Sequence, residues 1–280
     1  MPELPEVETV VRGLRDAALV GGIVRASRVS WARTLGGMPV PEFERRIRGR
    51  RIEAIQRRGK YIVIPLDGGL WLLIHLRMTG NLSVKQADEP RDAHERVALV
   101  LEDQRELRFR DARKFGRWTL TDTPEVVLGP LGPEPLSAAF RPAPFRLLMQ
   151  AHARMLKPLL LDQHVIVGLG NIYVDEALWE ARLHPCRIAS SLSPVACNRL
   201  YAAIRKVLQR GVDGMGTTLG RGAVNFYSVA GHRGSNQDAL NVFRRDGEPC
   251  PHCGTLITRI TVAQRSTHLC PRCQPCLHLA

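Results

Sequence analysis

Pro2, Glu3 and Glu6 fall within the opening Met-Pro-Glu-Leu-Pro-Glu-Val-Glu-Thr, and their types could make and break a covalent bond. Removal of Met1 would leave Pro2 as a free secondary amine. An α-amino group titrates near pH ~8, so part of it is unprotonated and nucleophilic at neutral pH. Such an amine can attack an electrophilic sugar carbon and form an iminium, the strategy of Schiff-base enzymes. Glu3 and Glu6 are close enough in sequence to move the protons that this reaction releases. The same residues also read as an ordinary helix start, with Pro5 in the first turn and acids favouring the N-terminus.

A second chemical signal lies at the other end of the chain. Cys250-Pro251-His252-Cys253 and Cys270-Pro271-Arg272-Cys273 have two residues within each pair and sixteen between the pairs. That spacing predicts a β-hairpin finger holding one structural Zn²⁺ on Cys250, Cys253, Cys270 and Cys273. Four thiolates leave no open coordination position, so this zinc is assigned to folding, and no catalytic cofactor is expected. His252 and His268 are read as surface residues and Cys276 as an extra. Gln264-Arg265-Ser266-Thr267 falls where a hairpin would present Arg265 to a phosphate. Val167-Gly168-Leu169-Gly170-Asn171 runs glycines into a helix start, where backbone N–H groups and the Asn171 amide could bind a phosphate. An Asn171 helix cap is the alternative. Lys157 is a further candidate phosphate contact. Lys60 follows Arg58-Gly59 at the mouth of an apolar strand. Met78 and Phe115, in His75–Gly80 and Asp111–Gly116, sit beside basic residues including Arg113, as wedges into a base stack would. Taken singly, Met78 and Phe115 read better as sheet core, and Arg113 and Lys60 as solvated charge.

The elements that must carry these residues follow from periodicity and composition. Val7, Val10, Val11, Leu14 and Ala18 share a helical face that should end near Gly21-Gly22. Residues 23–122 alternate short β-branched and aromatic runs with turns, predicting paired antiparallel sheets. The stretch Leu128–Pro135 reads as a linker. Beyond it the pattern is helical, with segments at Phe145–His152, Ile172–Trp179 and Pro194–Gly211. Residues 214–240 are a long aperiodic loop, functional or disordered. Lys plus Arg total 40 against 27 acids, a net +13 in 280 residues, which suits a polyanionic partner. The expected setting is cytoplasmic, with no membrane-spanning segment and no signal peptide. The clustered cysteines fit metal binding in a reducing compartment better than disulfides.

Taken together these motifs resemble the bacterial formamidopyrimidine-DNA glycosylases, also called 8-oxoguanine DNA glycosylases. They occur in the family's order: residues 2–9, Arg58-Gly59-Lys60, His75–Gly80, Arg113-Lys114-Phe115-Gly116, Gly170-Asn171-Ile172-Tyr173, and the finger with Gln264–Thr267. The resemblance implies an α+β, two-lobed enzyme with a DNA groove. Residues 1–130 would form a catalytic antiparallel β-sandwich with an N-terminal helix. Residues 131–240 would form a helix–two-turn–helix domain with a lesion-capping loop, and 241–280 the zinc finger. It implies that Pro2 attacks C1′, Glu3 protonates the sugar ring oxygen, Glu6 supports the site and Lys60 holds a phosphate. β- and δ-elimination would then cut the strand. Met78, Arg113 and Phe115 would fill the void left by the flipped nucleotide. Gly216, Thr217 and Thr218 would open the lesion loop, with backbone amides on the oxidised purine. Asn171, Lys157 and Arg265 would contact the DNA backbone. The implied partner is double-stranded DNA containing oxidised purines or abasic sites, bound by a monomer.

Two other readings stay open at this point. One is an endonuclease VIII-like enzyme for oxidised pyrimidines; the other is an inactive zinc-finger protein that binds damaged DNA. Arg77 departs from the small residue usual there, the loop at 223–235 diverges, and the tail 274–280 has no role.

Overall fold

The computed structural model describes residues 1–220, 222 and 225–276. Contacts divide the chain into two compact units, Met1–Pro130 with Gly214–Gln237, and Leu131–Asp213 with Asp238–Ala280.

The first unit begins with α1 (Leu4–Asp16), which buries Val7, Val10, Val11 and Leu14 of the predicted stripe. The helix ends at Asp16, short of Gly21-Gly22, so Ala18 lies exposed outside it with φ +51°. The chain then runs through β1 (Val24–Val29), α2 (Val40–Ile47), β2 (Gln56–Arg58), β3 (Tyr61–Leu66), β4 (Leu70–His75), β5 (Gly80–Gln86), β6 (Glu95–Leu101), β7 (Arg105–Asp111), β8 (Arg117–Thr121) and the short α3 (Glu125–Leu128). The strands form two four-stranded antiparallel sheets, ordered β1-β6-β7-β5 and β2-β3-β4-β8. One apolar core takes side chains from both sheets together with α1 and α2, including Leu14, Phe43, Ile62, Leu72, Leu99, Phe109 and Trp118. Removing that apolar surface from water holds the sandwich together and fixes the ends of its strands, where the candidate residues lie.

The second unit contains α4 (Pro142–Gln150), α5 (Leu156–Leu161), α6 (Asn171–Glu180) and α7 (Pro194–Asp213), then the hairpin β9 (Thr258–Val262) and β10 (Arg265–Leu269). The Gln163 side chain frames the turns between α5 and α6. Its amide donates to the Leu161 and Leu169 carbonyls, and its oxygen accepts from Gly168 N–H. No helix among the described residues is long and apolar enough to cross a membrane.

The segment Gly214–Gln237 was expected with the helices. Here it packs on the sandwich unit, because Thr217 N–H donates to Glu6 (2.7 Å) and Val229 lies where a Cβ on Gly13 would be (3.0 Å). Ala223, Val224 and the tail residues 277–280 lie outside the described residues.

Candidate active site and nucleic-acid interface

The chain start is held by its own acids. Glu3 is the N-cap of α1 and forms a capping box with Glu6, whose Oε2 accepts the Glu3 N–H at 2.8 Å. The other oxygen of Glu6 accepts the Thr217 N–H across 211 residues of sequence. One carboxylate therefore fixes both the residue after Pro2 and the start of the candidate lesion loop. Glu3 and Glu6 are each 2 % exposed, and Pro2 is buried beside them. Two ionisable acids so far from water are costly unless they are bonded, which the capping box and the Thr217 N–H provide. Gly216 has φ +81°, and a Cβ there would meet Glu6 Cγ at 2.9 Å, so glycine is required for the close approach.

Lys60 is placed by a two-residue hairpin turn between β2 and β3, with Gly59 at φ +57°. Arg57 on β2 pairs with Glu8 on α1 at 2.8 Å and ties this turn to the helix carrying Glu3 and Glu6. Buried Lys60 influences a residue that the sequence reading passed over. His75, opposite Tyr61 on β4, is 8 % exposed and packs edge-on against that ring. Burial first, then the charges of Arg77 and Lys60, depress its pKa to about 3. Its Nδ1 accepts the Arg77 N–H (3.0 Å), so the neutral ring carries its proton on Nε2. The available signal was a histidine ending an otherwise apolar strand.

This depression has a measurable consequence. The folded protein resists protonating His75, whereas the unfolded chain binds that proton near pH 6.5. The stability held above pH 6.5 is therefore lost progressively as pH falls toward 3, at about 1.4 kcal/mol per unit. Urea titrations should show an acid limb between pH 6.5 and 5 that flattens by about 2 kcal/mol in His75→Gln. An unchanged limb would rule out the buried neutral ring.

The candidate wedges lie on two turns that one buried acid joins. Asp111, fully buried, accepts from Thr79 Oγ1 (2.5 Å) in the turn carrying Met78 and from Gly116 N–H (2.7 Å) after Phe115. Thr79 Oγ1 in turn accepts the Arg113 N–H at 3.2 Å. Met78 is 41 % and Phe115 45 % exposed, and the Arg113 guanidinium lies 4.8 Å from the Phe115 ring centre. Phe109 packs beneath both turns; a Cβ on Gly80 or Gly116 would meet its ring at 2.8 Å or 2.3 Å.

In the second unit Lys157 does not face solvent. It is fully buried, and its ammonium donates to Asp175 (2.5 Å) and to the Ser266 carbonyl (2.9 Å). The expected phosphate contact is thus a structural pin, since a buried cation must be paired. Asn171, the first residue of α6 after its Gly170 cap, donates to the same Ser266 carbonyl at 2.9 Å. Both residues hold β10 so that Arg265, at the turn, is exposed. His268 corrects the surface reading: it is 4 % exposed and bonded to Asp175 through its backbone N–H. The amides of the lesion loop also differ from expectation. Thr217 and Thr218 are buried, with their N–H groups given to Glu6 and Gln237, so they are not open donors.

Glu176 was also missed. Its carboxylate accepts from the N–H groups of Asn241, Val242 and Phe243 and from Arg210, anchoring the chain leading into the finger. The Sγ atoms of Cys250, Cys253, Cys270 and Cys273 lie within 4.8 Å of one another. A tetrahedron of ~2.3 Å Zn–S bonds needs sulfurs about 3.8 Å apart, and the pairs at 3.5–3.9 Å fit it. Trp179 donates to Cys250 Sγ (3.4 Å), the outer bond that orients a metal ligand.

Fold and site define a class: a β-sandwich with its candidate nucleophile at the chain start, continuing into a helical unit that ends in a four-cysteine finger. Three family models match in order. The formamidopyrimidine-DNA glycosylase N-terminal domain covers residues 1–118, the H2TH domain of the same enzymes 131–221, and the zinc finger found in FPG and IleRS 247–275. The chain belongs to the formamidopyrimidine-DNA glycosylase family. It is 46 % identical over 275 residues to the formamidopyrimidine-DNA glycosylase of Protochlamydia amoebophila, covering 98 % of this chain and 99 % of that one. Among solved structures it is similar to the MutM (Fpg) protein of Thermus thermophilus, with TM-score 0.86 and 42 % identity over 98 % of each chain. A point mutant of Lactococcus lactis Fpg bound to DNA containing Fapy-dG gives TM-score 0.90 and 34 % identity, over 98 % of this chain and all of that one.

Proposed function

We propose that this protein is a DNA glycosylase with abasic-site lyase activity that removes oxidised purines, 8-oxoguanine and formamidopyrimidines, from duplex DNA. The observation that carries the reading is the Glu3–Glu6 capping box, which seats Pro2 beside a buried acid and links it to the lesion loop. With Met1 removed, the Pro2 nitrogen attacks C1′ of the flipped nucleotide and the bond to the base breaks, the base leaving with a proton. Glu3 protonates the ring oxygen as the sugar opens, giving an iminium on Pro2. Proton loss at C2′ then expels the 3′ phosphate, and a second elimination expels the 5′ phosphate. Lys60 holds a flanking phosphate, and Glu6 keeps the chain start in place. Extruding the nucleotide costs a few kcal/mol of stacking and pairing, so Met78 and Phe115 fill the gap while Arg113 donates to the orphaned base. The relatives' name and the Fapy-dG complex of the Lactococcus enzyme favour purines over the pyrimidine alternative. The enzyme acts as a cytoplasmic, nucleoid-associated monomer, and its zinc serves folding only.

The test is borohydride reduction on a duplex with one 8-oxoguanine opposite cytosine. The expected product is a protein–DNA adduct mapping to the N-terminal peptide; an adduct on Lys60, or none from active enzyme, overturns the assignment. Arg265, exposed at its turn, is the phosphate contact of the finger. Arg265→Ala should weaken binding to unrelated sequences about equally and reduce the salt slope by about one. A loss confined to particular sequences would contradict that role.

A further inference from the structure

Lys114 sits between Arg113 and Phe115, and the proposed function gives it nothing to do. It adopts φ +61°, a left-handed backbone that non-glycine residues rarely hold without support. Its Nζ lies 4.1 Å from the centre of the Trp31 ring, well inside cation–π range. Trp31 follows β1, where Ser30 N–H donates to Arg96 O and Ser30 Oγ to Glu95 O, so its backbone is tied to β6. Its carbonyl accepts the Thr34 N–H, which starts the 3-10 turn Ala32–Leu35 that rests against β8. The indole Nε1 is buried without a hydrogen-bond partner among the described residues. Leaving that donor unmatched is unfavourable, so something other than its hydrogen bond orients the ring. What the ring offers is its face, to Lys114 and, at 5.7 Å, to Arg33.

We propose that Trp31 is a positioning residue: through Lys114 it holds the turn bearing Arg113 and Phe115, and so sets how sharply the enzyme distinguishes the base opposite the lesion. The turn is then braced on two sides. Asp111 and Thr79 fix its backbone ends. Trp31 fixes its apex, where the left-handed residue would otherwise relax and swing Arg113 and Phe115 out of line. The inference rests on the DNA role proposed for those two side chains. Trp31 itself touches no reacting atom.

The experiment measures single-turnover release of 8-oxoguanine opposite cytosine and opposite adenine. It compares the wild type with Trp31→Ala, Trp31→Phe, Lys114→Met and the Trp31→Ala/Lys114→Met double variant. Each of Trp31→Ala and Lys114→Met should shrink the cytosine-to-adenine ratio roughly two- to five-fold, the worth of an exposed cation–π contact. The double variant should lose no more than either single one, and Trp31→Phe should keep most of the preference. A ratio unchanged in either single variant, or losses that multiply in the double, overturns the proposal. So does a wild type without preference for cytosine. Borohydride trapping on a duplex with a preformed abasic site separates the two readings. Normal trapping with an unmoved ratio removes only the Trp31 role, whereas wild type that never traps strikes Pro2.

Discussion

Retaining Met1 is expected to abolish the borohydride-trapped adduct, because it turns the Pro2 nitrogen into an amide whose lone pair is delocalised. Fold and DNA affinity should survive, since Glu3, Glu6 and the wedge turns are seated with Met1 in place. Glu3→Gln tests the partner of that nitrogen. Glutamine keeps an acceptor for the capping box but cannot supply the proton, so base excision should fall by roughly 10²–10⁴ while binding stays near wild type. Gel-shift affinity and single-turnover excision on the same duplex separate the two. Parallel losses of binding and excision would mean that Glu3 is only a cap. A trapped adduct from Met1-bearing protein would move the nucleophile elsewhere.

Loss of the zinc is expected to be nearly as severe. The buried cluster of the finger consists of Val242, Cys250, Ile257 and Cys270, two of which are thiol ligands. So small a core cannot offset the chain entropy of ordering a hairpin, whereas a structural zinc site contributes about 10–16 kcal/mol in isolated fingers. Cys253→Ser or chelation should therefore melt β9–β10, release Arg265 and weaken DNA binding by roughly 100-fold or more. Hydrogen exchange at 258–269, zinc stoichiometry and binding should change together. Fully active protein without zinc would refute the finger's role.

The features legible in the sequence were those governed by local spacing. The stripe of α1, the paired cysteines and the Pro/Gly linker at the unit boundary are all set by neighbours a few residues apart. The misread residues depend on distant ones. Lys157 looked like a solvated cation because its counterion, Asp175, is 18 residues away and its carbonyl partner, Ser266, 109 away. Glu176 finds its backbone donors 65 residues on, and the Thr217 amide is taken by an acid at the chain start. His75 ended a strand of the right kind, but its charge state follows from burial opposite Tyr61 and from Lys60, which only the sheet register brings near.

The bond from Thr217 to Glu6 also dates the birth of the site. The two residues leave the ribosome 211 positions apart, which at ~5–20 residues per second is roughly 10–40 s. Throughout that interval the oldest part of the chain has its reactive end but lacks the segment that immobilises it. Competence is thus gated by synthesis: the helices must be made before the sandwich can close on its own N-terminus. A message cut short between codons 116 and 217 would yield a protein with the amine, both acids, Lys60 and the wedge residues but no finished pocket. Such a fragment should be unable to damage DNA even though every catalytic side chain is present.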